Sequence, residues 1–515
     1  MQKYALLSVF DKKGIVDFAR ILIQLDYKII STGGTGKALQ EAKIPYIPIQ
    51  EITGSPESFD GRMKTISFQI ESGILFDRSN PKHVKEAEEL KIKPVNIVAC
   101  NLYPFEETLK KNLSENEAIE NIDVGGPTMV RAAAKNFKNV VVIVDPSDYE
   151  EVGKKLSEKN VTEELRKHLA GKAFNHLSFY DSQVAAYLRD ETFPEELTLA
   201  GRKIINLRYG ENPHQKGAFY AMPNVISSLQ HLTKQWGREL SLINLTDINA
   251  GLESVRLFDT FAAAVIKHNS PSGISLGKDA KEALELAIAA DPESAFGGII
   301  VLNREMNLDA AKVIGEFKDE RQGNIDIVAV PSITADALEF LQNVRKSMGI
   351  YTFGDIPKKL DAFNIKWVDN GFVYQTADVD VEKGFEKWEV VTKKKPSEKQ
   401  MEQMQIAWKF VTRIHSNSVL VVDKTLPMTR GIGSGQTSRI RSTKIALEQA
   451  GTYAIDGILA SDSFFPFGDS VKLAADHGIT AIVQQGGSVR DADSIAEADK
   501  AGICMIFTHR RAFWH

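Results

Sequence analysis

Cysteine is nearly absent: Cys100 and Cys504 are the only two in 515 residues, and they form no Cys-x-x-Cys pair. That excludes a disulfide framework and a cysteine zinc site, and it fits a reducing cytoplasm. None of the ten histidines opens a His-x-Glu, and His-Glu-x-x-His does not occur. The familiar zinc hydrolase and deaminase signatures are therefore missing, and no catalytic metal is expected. The Gly-x-Ser-x-Gly elbow of serine hydrolases is missing as well. Near-apolar runs such as Ala295 to Leu302 fall well short of the roughly 18 residues a membrane-spanning helix needs. The Tyr4 to Phe10 run is short, lacks a basic flank and meets Asp11 at once, which argues against a signal peptide. Charge of one sign is lacking too: 63 Lys plus Arg against 68 Asp plus Glu leaves a net of −5. A surface built to hold a nucleic acid or a membrane is not expected, although local basic pockets remain open.

What is present is an ordinary globular composition, 43% hydrophobic and 25% charged. At roughly 150 residues per domain the length suggests about three folding units. Tyr4 to Val9 reads as a buried strand. Gly14 to Asp26 carries apolar residues at helical spacing, and a second strand follows at Lys28 to Ser31. Val95 to Cys100 and Val140 to Val144 look like further buried strands, giving the rhythm of a parallel sheet. A long helical segment, Lys154 to Arg189, ends at the polar, proline-punctuated Asp190 to Pro194, so residues 1–195 read as one α/β domain. A Lys- and Glu-rich stretch, Asp378 to Gln400, reads as an exposed connector. It divides the remainder into 201–380 and 400–515, each mixing short apolar strands with helices. No short-period repeat or low-complexity tract is visible.

Several segments carry chemistry-bearing residues at glycine turns. Ser31-Thr32-Gly33-Gly34-Thr35-Gly36 invites a P-loop reading, but that motif needs a Gly where Ser31 stands and a Ser or Thr where Ala38 stands. A phosphate cradle of free N–H groups at a helix start and a plain tight turn both remain open. Gly431-Ile432-Gly433-Ser434-Gly435-Gln436 matches a dinucleotide fingerprint only in part; Ser438-Arg439 just beyond supplies a hydroxyl and a fixed cation for a phosphate or carboxylate. Lys267-His268-Asn269-Ser270-Pro271 ends an apolar strand in a turn, a place where α/β proteins expose reactive side chains. There His can take a proton while the neighbouring ammonium steadies an oxyanion, although a strand-end His is often structural. Arg62 to Thr65, Asn101 to Pro104, Asp123 to Gly126 and Arg131 to Lys135 punctuate the first domain; together they would make a cationic pocket with a phenol and a carboxylate.

The order of these motifs along essentially the whole chain resembles the bifunctional purine-biosynthesis family that is both aminoimidazole-carboxamide ribonucleotide (AICAR) formyltransferase and inosine monophosphate (IMP) cyclohydrolase. The segments that carry the resemblance are Lys267-His268-x-x-Pro271, Leu207 to Gln215, Ser416-Asn417-Ser418, the Gly431 to Arg439 loop, Phe464-Phe465-Pro466-Phe467 and the C-terminal Arg511. The resemblance implies an α/β protein: an N-terminal methylglyoxal-synthase-like parallel-sheet domain that closes the ring, plus two cytidine-deaminase-like α/β subdomains without zinc that transfer formyl. It further implies a homodimer, 10-formyltetrahydrofolate as cosubstrate and a structural monovalent cation.

By position, the resemblance makes His268 the proton acceptor of the transferase and Lys267 its electrostatic partner. Arg208, Tyr209, Gly297, Asp326, Asn417, Arg439, Phe464 and Arg511 would contact the nucleotide, and Ser438, Pro466 and Asp469 would face the folate. Lys64, Tyr103, Asp123 and Lys135 fall on the catalytic positions of the cyclohydrolase. Ser8, Lys12, Thr32, Gly33, Gly34, Thr35, Arg62, Thr65, Asn101, Gly125 and Gly126 would hold its nucleotide. Two departures stand out. The family continues Leu-His-Pro after the Lys-Thr pair where this chain has Ile66-Ser67-Phe68, and its second Ser of the first loop is Phe10 here. Three competing expectations follow. One is a transferase whose first domain binds but no longer cyclises. Another is an NAD-dependent oxidoreductase on the Gly431 loop, which lacks the acidic ribose partner about 20 residues later. The third is a purely structural protein, which leaves so many Arg, Lys and His residues at glycine turns unexplained.

Overall fold

The computed structural model describes residues 2–111, 113–321, 323–357 and 363–515. The chain divides into two compact units, Met1–Arg202 with Met222–Asn224, and Lys203–Ala221 with Val225–His515. The first is built on a five-stranded sheet in the spatial order Ile47–Pro48, Tyr27–Ser31, Lys3–Leu7, Val95–Ala99, Val141–Ile143. Every pairing is parallel. Strands buried on both faces need apolar runs, and those of Lys3–Leu7 and Val95–Ala99 are almost entirely buried. The first strand pairs with both the second and the fourth, so chain direction across the sheet reverses there. That switch point opens a crevice beyond the carboxyl ends of the two central strands.

The segment read as one helix from Lys154 to Arg189 is two, Tyr149–Ser157 and Glu163–Leu188. Thr162 caps the second by accepting the Leu165 N–H, and that local bond ends the continuity the periodicity suggested.

The second unit contains two six-stranded sheets of the same design. One runs Ser270–Gly277, Phe261–Lys267, Gly298–Leu302, Ile325–Val330, Gly349–Thr352, Thr233–Trp236. The other runs Thr429–Gly433, Val419–Val422, Ile458–Ser461, Ala481–Gln484, Cys504–Phe507, Glu389–Val390. In both, the first two pairings are antiparallel, the next two parallel and the last antiparallel. The helices repeat as well. Leu242–Val255 and Glu398–Val411 each hold 14 residues behind a Ser capping box. One hydrophobic core joins the halves, with Ile248, Ile266 and Val301 from the first and Trp408, Leu420 and Ala460 from the second. The stretch Asp378 to Gln400 is not merely an exposed connector: its Glu389–Val390 pairs with Cys504–Phe507 and closes the second sheet. A short strand amid lysines and glutamates has no apolar run to announce it. No described helix is long and apolar enough to cross a membrane.

Candidate active sites

In the first unit, the loops at the carboxyl edge of the sheet are linked in a ring. The turn after Tyr27–Ser31 becomes the helix Gly33–Glu41, whose first N–H groups have no intrahelical acceptor and face outward as an anion cradle. A Cβ on Gly33 would stand 2.8 Å from Lys64 Nζ, and one on Gly34 would stand 3.6 Å from Lys12 Nζ. Two ammonium groups thus lie over the positive end of the helix, which concentrates charge for a phosphate. Next to Lys64, the buried Thr65 hydroxyl crowds the place a Cβ on Gly125 would take. Gly126 in turn closes on Asp123, whose Oδ1 accepts the Gly126 N–H at 2.9 Å. A side chain at Gly125 would displace the Thr65 hydroxyl, and one at Gly126 the Asp123 carboxylate.

The ring closes through Asn101. Its Oδ1 accepts the N–H groups of Phe10 and Asp11 at 2.7 and 2.9 Å, and its Nδ2 donates to Asp11 O. This ties the loop that carries Lys12 to the strand that leads to Tyr103. Ser8 and Thr32 share a hydroxyl contact of 2.8 Å. Burial pushes the Asp123 carboxyl above its ordinary range, against the pull of the Gly126 and Gly125 N–H groups. Lys64 pairs with Glu57 at 3.1 Å, and Tyr103 accepts a hydrogen bond from Lys111 at 2.7 Å.

Three expected members behave differently. Lys135 ends the helix Gly125–Lys135 and is exposed; at 1.5 Å per residue it stands roughly 15 Å from the turn that holds Asp123. Arg62 is exposed and paired with Glu120. The Thr35 hydroxyl is buried, donating to Val9 O and accepting the Val9 N–H, so only its backbone is free for a ligand.

The two departures have visible roles. Phe10 packs edge-on against Tyr103, with ring centroids 4.4 Å apart, and Ser67 caps the helix Phe68–Leu75 by accepting the Ile70 N–H. A ring and a cap stand where the family has a hydroxyl and an imidazole.

In the second unit, His268 and Asn269 form a two-residue turn between Phe261–Lys267 and Ser270–Gly277, with φ of 54° and 60°. Such a turn needs left-handed backbone at both positions, which His adopts at a cost, and strain held at one residue marks a position fixed for use. The turn is gripped from below by Asp247, a buried carboxylate on the helix Leu242–Val255, which accepts the Asn269 N–H at 2.6 Å. Burial raises its carboxyl, opposed by the Asn269 N–H and the His268 charge. On the other side the Asn269 carbonyl lies against His415, whose ring stacks on Trp514 at 4.7 Å. Lys267 Nζ donates to Phe296 O, beside Gly297, at 2.9 Å.

His415 carries the contacts into the second half: its carbonyl accepts the Gly435 N–H at 2.7 Å, and Asn417 Nδ2 donates to Gln436 O at 2.9 Å. Arg439 is buried, with its guanidinium on Asp462 and on Asn417 Oδ1 at 2.7 Å. It therefore orients Asn417 and leaves little for a ligand. Asp326 is likewise engaged, by Arg238 at 2.8 Å and Arg345 at 3.0 Å. Arg208 lies over the Tyr209 ring, and Arg511 over Phe513. Phe464, half-buried, and the exposed Pro466 and Asp469 follow the Asp462 turn, while Ser438 precedes the helix Arg439–Ala450 with its hydroxyl uncommitted to the cap. Asp247 and His415 carried no sequence signal beyond their residue types. Among the described residues no group of three His, Cys, Asp or Glu side chains could hold a metal ion.

Comparison with known proteins finds relatives along the whole chain. Residues 14–128 match the MGS-like domain, and residues 133–449 match the AICARFT/IMPCHase bienzyme family. The chain belongs to that bienzyme family. It is 43% identical to the Bifunctional purine biosynthesis protein PurH of Halalkalibacterium halodurans, with 100% of both chains covered. The PurH proteins of Persephonella marina and Clostridium botulinum (strain Kyoto / Type A2) are 41% and 43% identical over the same full coverage. The chain is a bifunctional enzyme of purine biosynthesis, a formyltransferase and a cyclohydrolase.

Proposed function

We propose that the first unit cyclises formylated AICAR to IMP, and that the second transfers formyl from 10-formyltetrahydrofolate to the 5-amino group of AICAR. The observation that carries this reading is the placement of Lys64 Nζ over the N–H groups that open the helix Gly33–Glu41, with Asp123 linked to it through Thr65 and Gly125. In cyclisation the carboxamide nitrogen bonds to the formyl carbon, and the formyl oxygen leaves as water after taking one proton from each nitrogen. Lys64 stabilises charge on that oxygen, and the half-buried Asp123, with its raised carboxyl, relays a proton. Tyr103 orients the reacting amide. Lys12, Ser8 and the Thr32 to Thr35 turn hold the phosphate, with Thr65, Asn101, Gly125 and Gly126 shaping the wall.

In transfer the amine nitrogen bonds to the formyl carbon, the bond from that carbon to folate N10 breaks, and N10 gains a proton. His268 takes the proton the amine sheds, and Lys267 stabilises the tetrahedral oxyanion. Arg208, Tyr209, Gly297, Asn417, Phe464 and Arg511 contact the nucleotide, with Ser438, Pro466 and Asp469 toward the folate. Asp326 and Arg439 act from behind, through the partners that hold them. The same reading takes residues 201–380 and 400–515 as two subdomains, and the enzyme as a cytoplasmic homodimer. A structural monovalent cation belongs to the same reading.

The test is single-pot conversion of AICAR plus 10-formyltetrahydrofolate, following the formylated nucleotide and IMP separately. The parent is expected to make IMP, His268→Ala to make neither product, and Lys64→Ala to accumulate the intermediate. A parent that stops at the formylated nucleotide would reduce the first unit to a binding module.

A further inference from the structure

The Glu163–Leu188 helix packs against the helix Gly125–Lys135 and buries Ala173, Leu177 and Tyr180. Two of its side chains, four residues apart and therefore on one face, reach across to backbone groups of the crevice loops. The Tyr180 hydroxyl accepts the Asp123 N–H at 2.8 Å. His176 Nε2 accepts the Leu102 N–H at 3.4 Å, one residue before Tyr103. Neither N–H belongs to a strand ladder or a helix, so each needs a partner from elsewhere when half-buried. Phe105 completes the dock: it is fully buried, with the Tyr180 and Tyr187 rings edge-on to it at 6.3 and 5.6 Å.

We propose that Tyr180 and His176 are positioning residues for cyclisation, one helix face fixing both the loop that carries Tyr103 and the turn that carries Asp123. This rests on the reading of Tyr103 and Asp123 as working groups of the first unit. Without the Tyr180 hydroxyl, the Asp123 backbone has no partner for its N–H, and the carboxylate is held only through Gly126 and Gly125. Burial lowers the His176 imidazole below its ordinary value, helped by the nearby Arg202 charge. With Nε2 as acceptor, the ring proton sits on Nδ1. The Phe105 ring fixes the far end of the same loop, so the helix constrains Tyr103 from both sides. An error of about 1 Å at a reacting group lowers a rate far more than it lowers binding.

The second activity of the chain provides an internal control, because formyl transfer takes place in the other unit. Cyclisation is measured on supplied formylated AICAR, and transfer on AICAR with 10-formyltetrahydrofolate, for Tyr180→Phe, His176→Leu and His176→Gln. Gln retains an acceptor near the place of Nε2. Tyr180→Phe and His176→Leu are each expected to lower the cyclisation kcat about ten-fold, the size of one lost buried hydrogen bond, with KM and transfer within about two-fold. His176→Gln is expected to recover most of that loss, which lost packing alone would not allow. Parental cyclisation kcat in Tyr180→Phe and His176→Leu, or an equal fall of both activities, would overturn the positioning role. Asp123→Asn run alongside separates the two levels. If it abolishes cyclisation while Tyr180→Phe stays at the parental rate, only the positioning is wrong. If it cyclises at the parental rate, the reading of the site beneath has failed, and this proposal with it.

Discussion

The two halves of the second unit share strand order, strand direction and helix order, yet they differ at corresponding turns. In the first half, Lys267 pairs with Ser270 and only His268 and Asn269 lie between them. In the second, Val422 pairs with Thr429 and six residues, 423–428, make the connection. The helices beneath match residue for residue. Asp247 is the sixth residue of Leu242–Val255, and Gln403 is the sixth of Glu398–Val411; both are buried. Asp247 accepts the Asn269 N–H of the tight turn, whereas Gln403 Oε1 has no partner among the described residues. A scaffold repeated in one chain therefore does not repeat its chemistry. The half with the short turn carries Lys267 and His268, and the half with the long turn supplies a buried ion pair that orders Asn417.

That ion pair should give the largest effect. Asp462 is fully buried with Arg439 as its cation, so Arg439→Met leaves an uncompensated charge and is expected to cost about 3–5 kcal/mol in denaturant unfolding. Arg345→Met in the first half leaves Asp326 partly exposed and still paired with Arg238, and is expected to cost less than about 1 kcal/mol. Equal losses would mean that the halves do not divide the labour in this way. A second experiment breaks the contrast between the turns. One Gly inserted between His268 and Asn269 is expected to reduce formyl transfer at least about 100-fold, because it displaces a reacting group. The same insertion between Lys424 and Thr425, in a loop of six, is expected to leave transfer within about two-fold.

Little of this duplication was legible in the sequence, whereas the strands themselves were. Runs such as Ala262 to Ile266, Gly298 to Leu302 and Ala481 to Gln484 are apolar because both faces of these strands are covered, and burial of that kind leaves a direct trace. Strand order leaves none, since it depends on contacts between residues far apart in the chain. The Glu389–Val390 edge, lying among lysines and glutamates, was missed for lack of an apolar run. At the sites, turns rich in glycine betrayed Gly33, Gly34, Gly125 and Gly126, where neighbours crowd the missing Cβ. The resemblance supplied His268 and Lys267. Asp247, His415, His176 and Tyr180 were silent, because each acts through a backbone group that only the fold brings near.

Asp247 itself sharpens the comparison at an intermediate level. Its carboxyl is raised by burial, so its contribution to folding is full below the ordinary Asp value and is lost as pH rises through the raised one. Once ionised, the group thus weighs on stability while it holds the turn. Asp247→Asn is expected to slow formyl transfer about ten-fold. Its melting temperature relative to the parent should rise as pH climbs from the ordinary Asp value through the raised one. A variant that is both slower and less stable at the higher pH would contradict this balance.

The smallest effect belongs to the matching position. Gln403 keeps an amide in the core of the second half, with its Oε1 unsatisfied among the described residues. Gln403→Met has nearly the same length and removes the orphaned acceptor. It is expected to leave both activities unchanged and to stabilise the chain by up to about 1 kcal/mol, since an unpaired buried polar group is a burden that an apolar isostere lifts. Asp247→Met, read the same way, is expected to lose transfer. If Gln403→Met instead impaired transfer as Asp247→Met does, the sixth residue of each helix would serve catalysis in both halves, and the difference in turn length would not be what separates them.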